Sequence, residues 1–379
     1  MASSAGPRIL VDATAVPADR GGVGRYVDQL IPALDALGTD LVVAVQQADV
    51  EHYAKIAPSA KVVPAPARAA SRPARLAWEQ TGLPRLADRV GADVLHSPHY
   101  TMPLRSRVPV VTTLHDATFF THPEVHQPVK RAFFRGWTTA SLRLAARCIV
   151  PSQATLDELA RVTGRVHGQV DVAHHGVDPA RFHRPGDDEI AAARAHLGLR
   201  ADRYVAFLGT IEPRKNVPFL VEGWRRAVSG LDRPPALVVA GGRGWDTGVD
   251  EALAAVPEHL EVLQPGYLPL GLLAGFLGGA DVVAYPSLAE GFGLPVLEAM
   301  ACGAPVLTTR SLALPEVGGD AVEYTEPTAA GIEATLGALL TEPVRRAELS
   351  AAAVRRAAGF TWAACAEAHL AAYGRALAG

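Results

Sequence analysis

Two successive α/β domains, each a doubly wound parallel sheet, are the architecture this sequence predicts. Three observations lead there. The chain has 379 residues, more than one ordinary hydrophobic core serves. Short apolar runs alternate with helical stretches in two separate series, as expected of buried parallel strands joined by crossover helices. Between the two series, from His174 to Asp188, lie a glycine pair, two prolines and several aspartates, the composition of a connector.

The first series opens with Arg8-Ile9-Leu10-Val11-Asp12, a strand. Gly21-Gly22-Val23-Gly24-Arg25-Tyr26 follows, ahead of a helical pattern from Val27 to Leu37. A glycine-rich turn at a strand-to-helix junction lets backbone amides approach a phosphate. The spacing is not the Gly-x-Gly-x-x-Gly dinucleotide fingerprint, so a plain tight turn is the equal alternative. Further strands are expected at Leu41–Val45, Lys61–Val63, Asp93–Leu95, Val108–Leu114 and Arg147–Val150. Ligands of such sheets sit beyond the carboxyl ends of the strands. Two motifs are expected there, His96-Ser97-Pro98-His99 and His115-Asp116-Ala117-Thr118. The His-x-x-His pair has no carboxylate or cysteine at ligand spacing, so no metal site is expected.

Two stretches of this half are basic and carry aromatic residues. One runs from Arg68 to Arg89 with Arg72, Arg75, Trp78 and Arg85; the other runs from Lys130 to Arg147 with Arg131, Phe133, Phe134, Arg135, Trp137 and Arg143. A solvated face over a core stripe is the ordinary reading, and contact with a membrane surface is the minority one.

The second series has strands expected at Tyr204–Leu208, Ala236–Ala240, Leu260–Leu263, Asp281–Tyr285, Ala304–Thr308 and Ala321–Tyr324. Its first strand ends in Gly209-Thr210-Ile211-Glu212-Pro213-Arg214-Lys215-Asn216. Arg214 and Lys215 offer two cations at a strand end, and arginine can grip a phosphate with two hydrogen bonds. The strand ending at Tyr285 leads through Pro286 and Ser287 into a glycine loop. Pro295 then stands where a first helical residue should, because its missing N–H costs nothing there. Gly293 to Val296 is therefore a helix N-terminus, whose unpaired amides suit a diphosphate. Glu290 precedes this helix and Glu298 lies about one turn inside it, so both carboxylates can face one anion pocket without touching.

Bulk composition narrows the function. Hydrophobic content of 49% with 20% charged residues indicates a well-buried globular protein. The formal net charge is −3, and nothing global suggests nucleic acid. Residues 1–185 carry 21 Lys and Arg against 16 Asp and Glu, whereas the remainder carries 15 against 23. A basic first half suits an acidic acceptor or an anionic surface. Cys148, Cys302 and Cys365 are far apart and odd in number, which argues for a reducing compartment. The start Met-Ala-Ser-Ser-Ala-Gly-Pro has no basic flank or apolar core. The uncharged stretch between Glu261 and Asp281 holds Pro265, Pro269 and five glycines and reads as folded structure, not a span. A cytoplasmic protein is expected, with peripheral contact at the inner membrane face as the minority reading.

Tyr285-Pro286-Ser287, Glu290-Gly291-Phe292-Gly293-Leu294-Pro295 and Glu298-Ala299-Met300-Ala301-Cys302-Gly303-Ala304-Pro305-Val306, in unbroken order, resemble the donor-site signature of the retaining glycosyltransferases of family 4. The resemblance extends over nearly the whole chain and is strongest from Tyr204 to Glu316. It implies a GT-B fold: two Rossmann-like doubly wound domains facing a central cleft. Residues 1–178 would bind the acceptor and 179–360 the donor. The last helix, from Trp362, would cross back to the first domain within residues 361–379. The hinge would lie at His174-His175-Gly176-Val177-Asp178, where relatives commonly have Asn in place of His175. The resemblance further implies that Glu298 holds the ribose hydroxyls, that Glu290 holds the sugar hydroxyls, and that the backbone of Gly291, Phe292, Gly293 and Leu294 lies against phosphates and sugar. Arg214 and Lys215 would bind the diphosphate, with Thr210 near the place of a further arginine in some relatives. Gly22 and Gly24 would approach the diphosphate, and His115 the transferred sugar. Gly241, Tyr267 and Leu268 would hold the nucleobase. The activity implied is metal-independent hexosyl transfer with no cofactor, from a nucleotide-sugar donor to a hydroxyl of a glycan, lipid-linked or small-molecule acceptor. Glu-Pro-Arg-Lys-Asn and Gly-x-Gly-Trp look most like mannosyltransferases, which favours GDP-mannose. A UDP- or dTDP-sugar is the alternative, as are a sugar-nucleotide epimerase and a non-catalytic binding subunit of the same fold.

Overall fold

The structure is a computed structural model and describes residues 6–16, 20–164 and 169–379. Residues 1–5, read above for a leader, lie outside the described residues. The chain divides into two compact units, one of Met1–Gly176 with Thr361–Gly379 and one of Val177–Phe360.

The first unit holds a seven-stranded sheet of β1 (Ile9–Asp12), β2 (Leu41–Val45), β3 (Lys61–Pro64), β4 (Val94–Ser97), β5 (Val110–Thr113), β6 (Arg147–Val150) and β7 (Val170–Val172). Its order is β3-β2-β1-β4-β5-β6-β7, with all pairs parallel. The second unit holds β8 (Tyr204–Leu208), β9 (Ala236–Ala240), β10 (Val262–Gly266), β11 (Val282–Tyr285), β12 (Val306–Thr308) and β13 (Glu323–Tyr324). Its order, β10-β9-β8-β11-β12-β13, is again all parallel. Central strands are buried on both faces, as their continuous Val, Leu and Ala runs require.

Several boundaries differ from the sequence reading, each for a local reason. β5 and β12 begin after Pro109 and Pro305, which have no N–H to give a ladder. β10 starts at Val262 and runs through Pro265, which an edge strand tolerates, with a register shift between Leu263 and Gly266. β13 is reduced to Glu323–Tyr324 at the opposite edge. His96 lies inside β4, not beyond its end. The helix expected from Val27 begins at Gly22 and runs to Ala36, so Gly22 and Gly24 form its first turn instead of a preceding loop. Glycine costs a helix up to about 1 kcal/mol against alanine. The buried stripe Tyr26, Val27, Leu30, Ile31 and Leu34 outweighs that.

The basic stretches are partly committed inside the fold. Arg75 donates to the buried Glu79 at 2.8 Å, Arg135 to the Phe119 carbonyl at 2.6 Å, and Arg147 pairs with Asp171. Trp78 is buried. These cations balance internal partners, so the runs are not simple solvated faces.

Helix Trp362–Ala378, capped by the Thr361 hydroxyl, is a core element of the first unit. Its N-terminus passes so close to Gly176 that a Cβ there would collide with the Trp362 backbone. His175 stacks on Trp362 with ring centroids 5.7 Å apart. A directed hydrogen-bond chain runs from this helix into the sheet. His369 Nδ1 faces the Cys365 carbonyl at 2.7 Å and must carry its hydrogen there, so Nε2 accepts from the Tyr26 hydroxyl at 2.7 Å. Tyr26 then accepts from Thr113 (2.9 Å), Thr113 from His96 Nε2 (2.8 Å), and His96 Nδ1 accepts from Tyr373 (2.9 Å). Burial pushes His96 well below the usual histidine range and His369 to about 4, consistent with two neutral rings.

Candidate active site

The second sheet reverses its strand order between β8 and β11, and the loops leaving both strands meet there, where ligands of such sheets bind. The turn Pro213–Lys215 follows β8. The segment after β11 is stitched to it: Leu288 N donates to the Arg214 carbonyl at 2.8 Å, and Arg214 Nη1 donates to the Ala289 carbonyl at 2.8 Å. Thr308 and Thr309 hydroxyls pin the carbonyls of Tyr285 and Ser287 from the β12 side, at 2.8 and 2.6 Å.

This stitching assembles a buried ionic cluster. Glu290, 6% exposed, receives Lys215 Nζ on Oε1 at 2.6 Å and Arg214 Nη1 on Oε2 at 2.6 Å. Tyr285 donates to the same Oε1 at 3.0 Å and accepts from Lys215. The Ser287 hydroxyl has three acceptors in reach, the nearest being Glu290 Oε1 at 2.7 Å, then the Arg214 carbonyl at 3.0 Å. Glu212 lies behind Arg214 at 3.4 Å. Burial alone would push the Glu290 carboxyl up. Arg214 first, then Lys215 and the Ser287 hydroxyl, overcome it and hold the group at about 2. Burial, with Arg214 beside it, pushes the Lys215 ammonium down. With a cation on each carboxylate oxygen, Glu290 is ionised.

Helix Leu294–Ala301 starts from this cluster. Gly293 caps it at φ +101°, a left-handed conformation that glycine accepts most readily, with Pro295 in the first turn as expected. Phe292 turns its ring into the core, edge-on to Phe360 with ring centroids 5.9 Å apart. Glu298 lies one turn into the helix and is 4% exposed. Gly291 and Leu294 flank these positions in the same loop and helix start.

The ends of β8, β9 and β10 form a second group. Gly241 (φ +128°) donates its N–H to the Gly266 carbonyl at 2.7 Å, and a Cβ there would collide with the Gly209 carbonyl. Thr210, half-buried, lies between Gly209 and Ile211, whose N–H groups donate to the Ala240 and Gly242 carbonyls at 2.9 Å each. Tyr267, 67% exposed, lies across Gly242, while Leu268 packs against the core. The structure therefore brings Arg214, Lys215 and Glu290 into contact and sets Thr210, Gly241, Tyr267 and Leu268 along neighbouring strand ends.

In the first unit, His115 follows β5, its Nε2 donating to the Pro98 carbonyl at 2.7 Å; burial pushes its pKa down, opposed by that bond and by Asp116. Gly22 and Gly24 contribute amides to the first turn of the helix Gly22–Ala36. Among the described residues, no three His, Cys, Asp or Glu side chains gather as a metal cage. The sequence reading missed Tyr285 and Ser287. Their signal was present, since Tyr-Pro-Ser heads the signature run, but nothing in it showed that they reach Glu290.

Comparison with known proteins bears on this geometry. The family model described as Glycosyltransferase Family 4 matches residues 20–181, and that described as Glycosyl transferases group 1 matches residues 148–356, over half of the chain. The chain belongs to glycosyltransferase family 4. Its fold is GT-B. It is 37% identical over 250 residues to a D-inositol 3-phosphate glycosyltransferase of Mycobacteroides abscessus, covering 62% of this chain and 53% of that protein. The Kribbella flavida protein of the same name is 32% identical over 311 residues, covering 74% and 70%. The O-antigen chain mannosyltransferase B of Escherichia coli is 28% identical over 277 residues, covering 72% and 71%. The chain thus spans about half to seven-tenths of the length of these curated relatives. Among solved structures, Anabaena HepE in complex with UDP and glucose matches with a TM-score of 0.76 at 17% identity, over 96% of this chain and 98% of that one. WaaG, a glycosyltransferase involved in lipopolysaccharide biosynthesis, matches at 0.73 and 15%, over 96% and 98%.

Proposed function

We propose that this family 4 glycosyltransferase moves a hexose from a nucleoside diphosphate sugar to an acceptor hydroxyl with retention, and with no metal ion on the diphosphate. The observation that carries this reading is the buried Arg214–Lys215–Glu290 cluster beside a helix N-terminus at the strand-order reversal. Two cations beside the positive end of a helix offer a diphosphate what a divalent ion otherwise supplies. In this reading Arg214, Lys215 and the Gly291–Leu294 backbone take the phosphates, Glu290 the sugar and Glu298 the ribose. Gly241, Tyr267 and Leu268 take the base. His115 serves the sugar, and the Gly22 and Gly24 amides the diphosphate. The bond from the sugar's C1 to the phosphate oxygen breaks while the acceptor oxygen bonds C1 on the same face. The acceptor proton passes to the leaving phosphate, so the protein mainly orients and stabilises charge.

GDP-mannose is the first candidate donor. The Glu212–Asn216 and Gly242–Trp245 motifs favour it, as does the name of the E. coli relative. The HepE complexes with UDP and with UDP-glucose support a uridine nucleotide as the second. A glycan or lipid-linked acceptor is proposed. No helix among the described residues is long and apolar enough to cross a membrane. Helix Pro128–Leu144 exposes Val129, Phe133 and Leu144 among its cations, which supports peripheral contact with an anionic surface.

Thermal shift and transfer across GDP-, UDP- and dTDP-sugars, with D-inositol 3-phosphate among the acceptors, test the reading. Sugar-nucleotide turnover that ignores every acceptor would favour an epimerase. Transfer should persist in chelator; loss in chelator with recovery on adding Mg²⁺ or Mn²⁺ would refute metal independence. Glu298→Ala should weaken donor and free nucleoside diphosphate alike, by roughly tenfold or more, because a charged hydrogen bond to a hydroxyl is worth about 1.5–3 kcal/mol. Titration calorimetry showing unaltered affinity would remove Glu298 from the ribose role.

A further inference from the structure

Four side chains described above reach the Glu290 carboxylate, and they are of two kinds. Lys215 and Arg214 are cations, which under the proposed function, on which this inference rests, also bind the donor's diphosphate. Tyr285 and Ser287 are neutral hydroxyl donors, 1% and 0% exposed, on the segment that leads from β11 into the Glu290 loop. A bound diphosphate competes for both cations and cancels their field. Glu290 would then be a buried carboxylate losing the charges that balance it, at the moment it is needed beside the sugar. A buried, unbalanced charge either moves or takes up a proton.

We infer that Tyr285 and Ser287 are positioning residues that keep the Glu290 carboxylate ionised and in place once a donor diphosphate has taken over Lys215 and Arg214. Their own anchoring fits that task. The Tyr285 and Ser287 carbonyls are held by Thr308 and Thr309, and the Tyr285 ring stacks on Phe207 at 5.8 Å, so both residues have anchors besides their contacts with Lys215 and Arg214. The ionisable groups facing Glu290 are Arg214 and Lys215 from the turn after β8, Tyr285 from β11, and Glu212 behind Arg214. In the ligand-free chain the cations dominate, and the Ser287 hydroxyl adds to them. In the donor complex the hydroxyls carry the larger share.

The test is the pH dependence of kcat and of kcat/KM in Tyr285→Phe and Ser287→Ala, each of which keeps the shape of its side chain. The acid limb of kcat reports the donor complex and that of kcat/KM the free enzyme. Loss of either hydroxyl should let Glu290 protonate more readily in the complex. The acid limb of kcat should then move to higher pH by about one unit, with kcat at neutral pH falling roughly tenfold. The acid limb of kcat/KM should move less, because Lys215 and Arg214 still hold the carboxylate before donor binds. Acid limbs identical to the parent's, with only a lower melting temperature, would overturn the inference and leave packing as the residues' role. A parent chain that neither binds nucleoside diphosphate nor transfers sugar would overturn the proposed function and this inference together. Binding and transfer intact with unmoved limbs would overturn this inference alone.

Discussion

Turnover of the Glu290→Gln variant is expected to fall roughly 10- to 100-fold while its affinity for free nucleoside diphosphate holds or rises. The two halves have separate causes. A contact to the sugar under transfer strengthens as positive charge builds on the ring, so removing the carboxylate's charge costs about 1.5–3 kcal/mol in the transition state. The same carboxylate occupies Lys215 and Arg214 in the ligand-free chain, at 2.6 Å from each. Neutralising it frees two cations for phosphate. Glutamine keeps the shape and can still accept from Ser287, so the fold should survive. Turnover and calorimetric affinity, measured side by side, check both halves. Full turnover would take Glu290 out of catalysis; a large loss of nucleotide affinity would show that it supports the anion site instead of competing for it.

Lys215→Ala should strongly destabilise the second unit, lowering its unfolding free energy by about 3–5 kcal/mol. The lysine is buried and shares one carboxylate oxygen with Tyr285 and Ser287, so its loss leaves the buried Glu290 charge with Arg214 and two neutral hydroxyls to balance it. The pH dependence has a definite sign. Glu290 is held at about 2 against an ordinary 4.5, so its contribution is fully present above about 4.5 and disappears as pH falls toward about 2. Without Lys215 the carboxyl is held less far down, and the gap between parent and variant should narrow on acidification through that window. Thermal unfolding at pH 7 and near pH 3.5 checks this. A gap independent of pH would mean that the loss comes from packing against Tyr285, whose ring centroid lies 4.8 Å from Nζ.

Family and fold were legible because their signals are local. Alternating apolar runs set strand against helix, and Pro295 with Gly293 marked a helix start that the structure has at Leu294. The run from Tyr285 to Val306 carried the family in consecutive residues. Strand ends at Pro109, Pro265 and Pro305 were less legible, since whether a proline ends a strand depends on its neighbours in the sheet. The helix start at Gly22 was missed because three glycines outweigh, in sequence, a buried stripe that only packing rewards.

The sequence by itself determined the α/β class, the glycosyltransferase family, and the residue types offered to an anion. Tertiary structure alone decided which of those residues meet. Lys215 and Glu290 are 75 positions apart and touch only because β8 and β11 pair in parallel, bringing their carboxyl-end loops together. His96 and Tyr373, 277 positions apart, meet only because the last helix packs into the first unit's core. Periodicity records which face of an element is apolar, whereas the partner of a buried charge is set by strand order, which no local pattern contains.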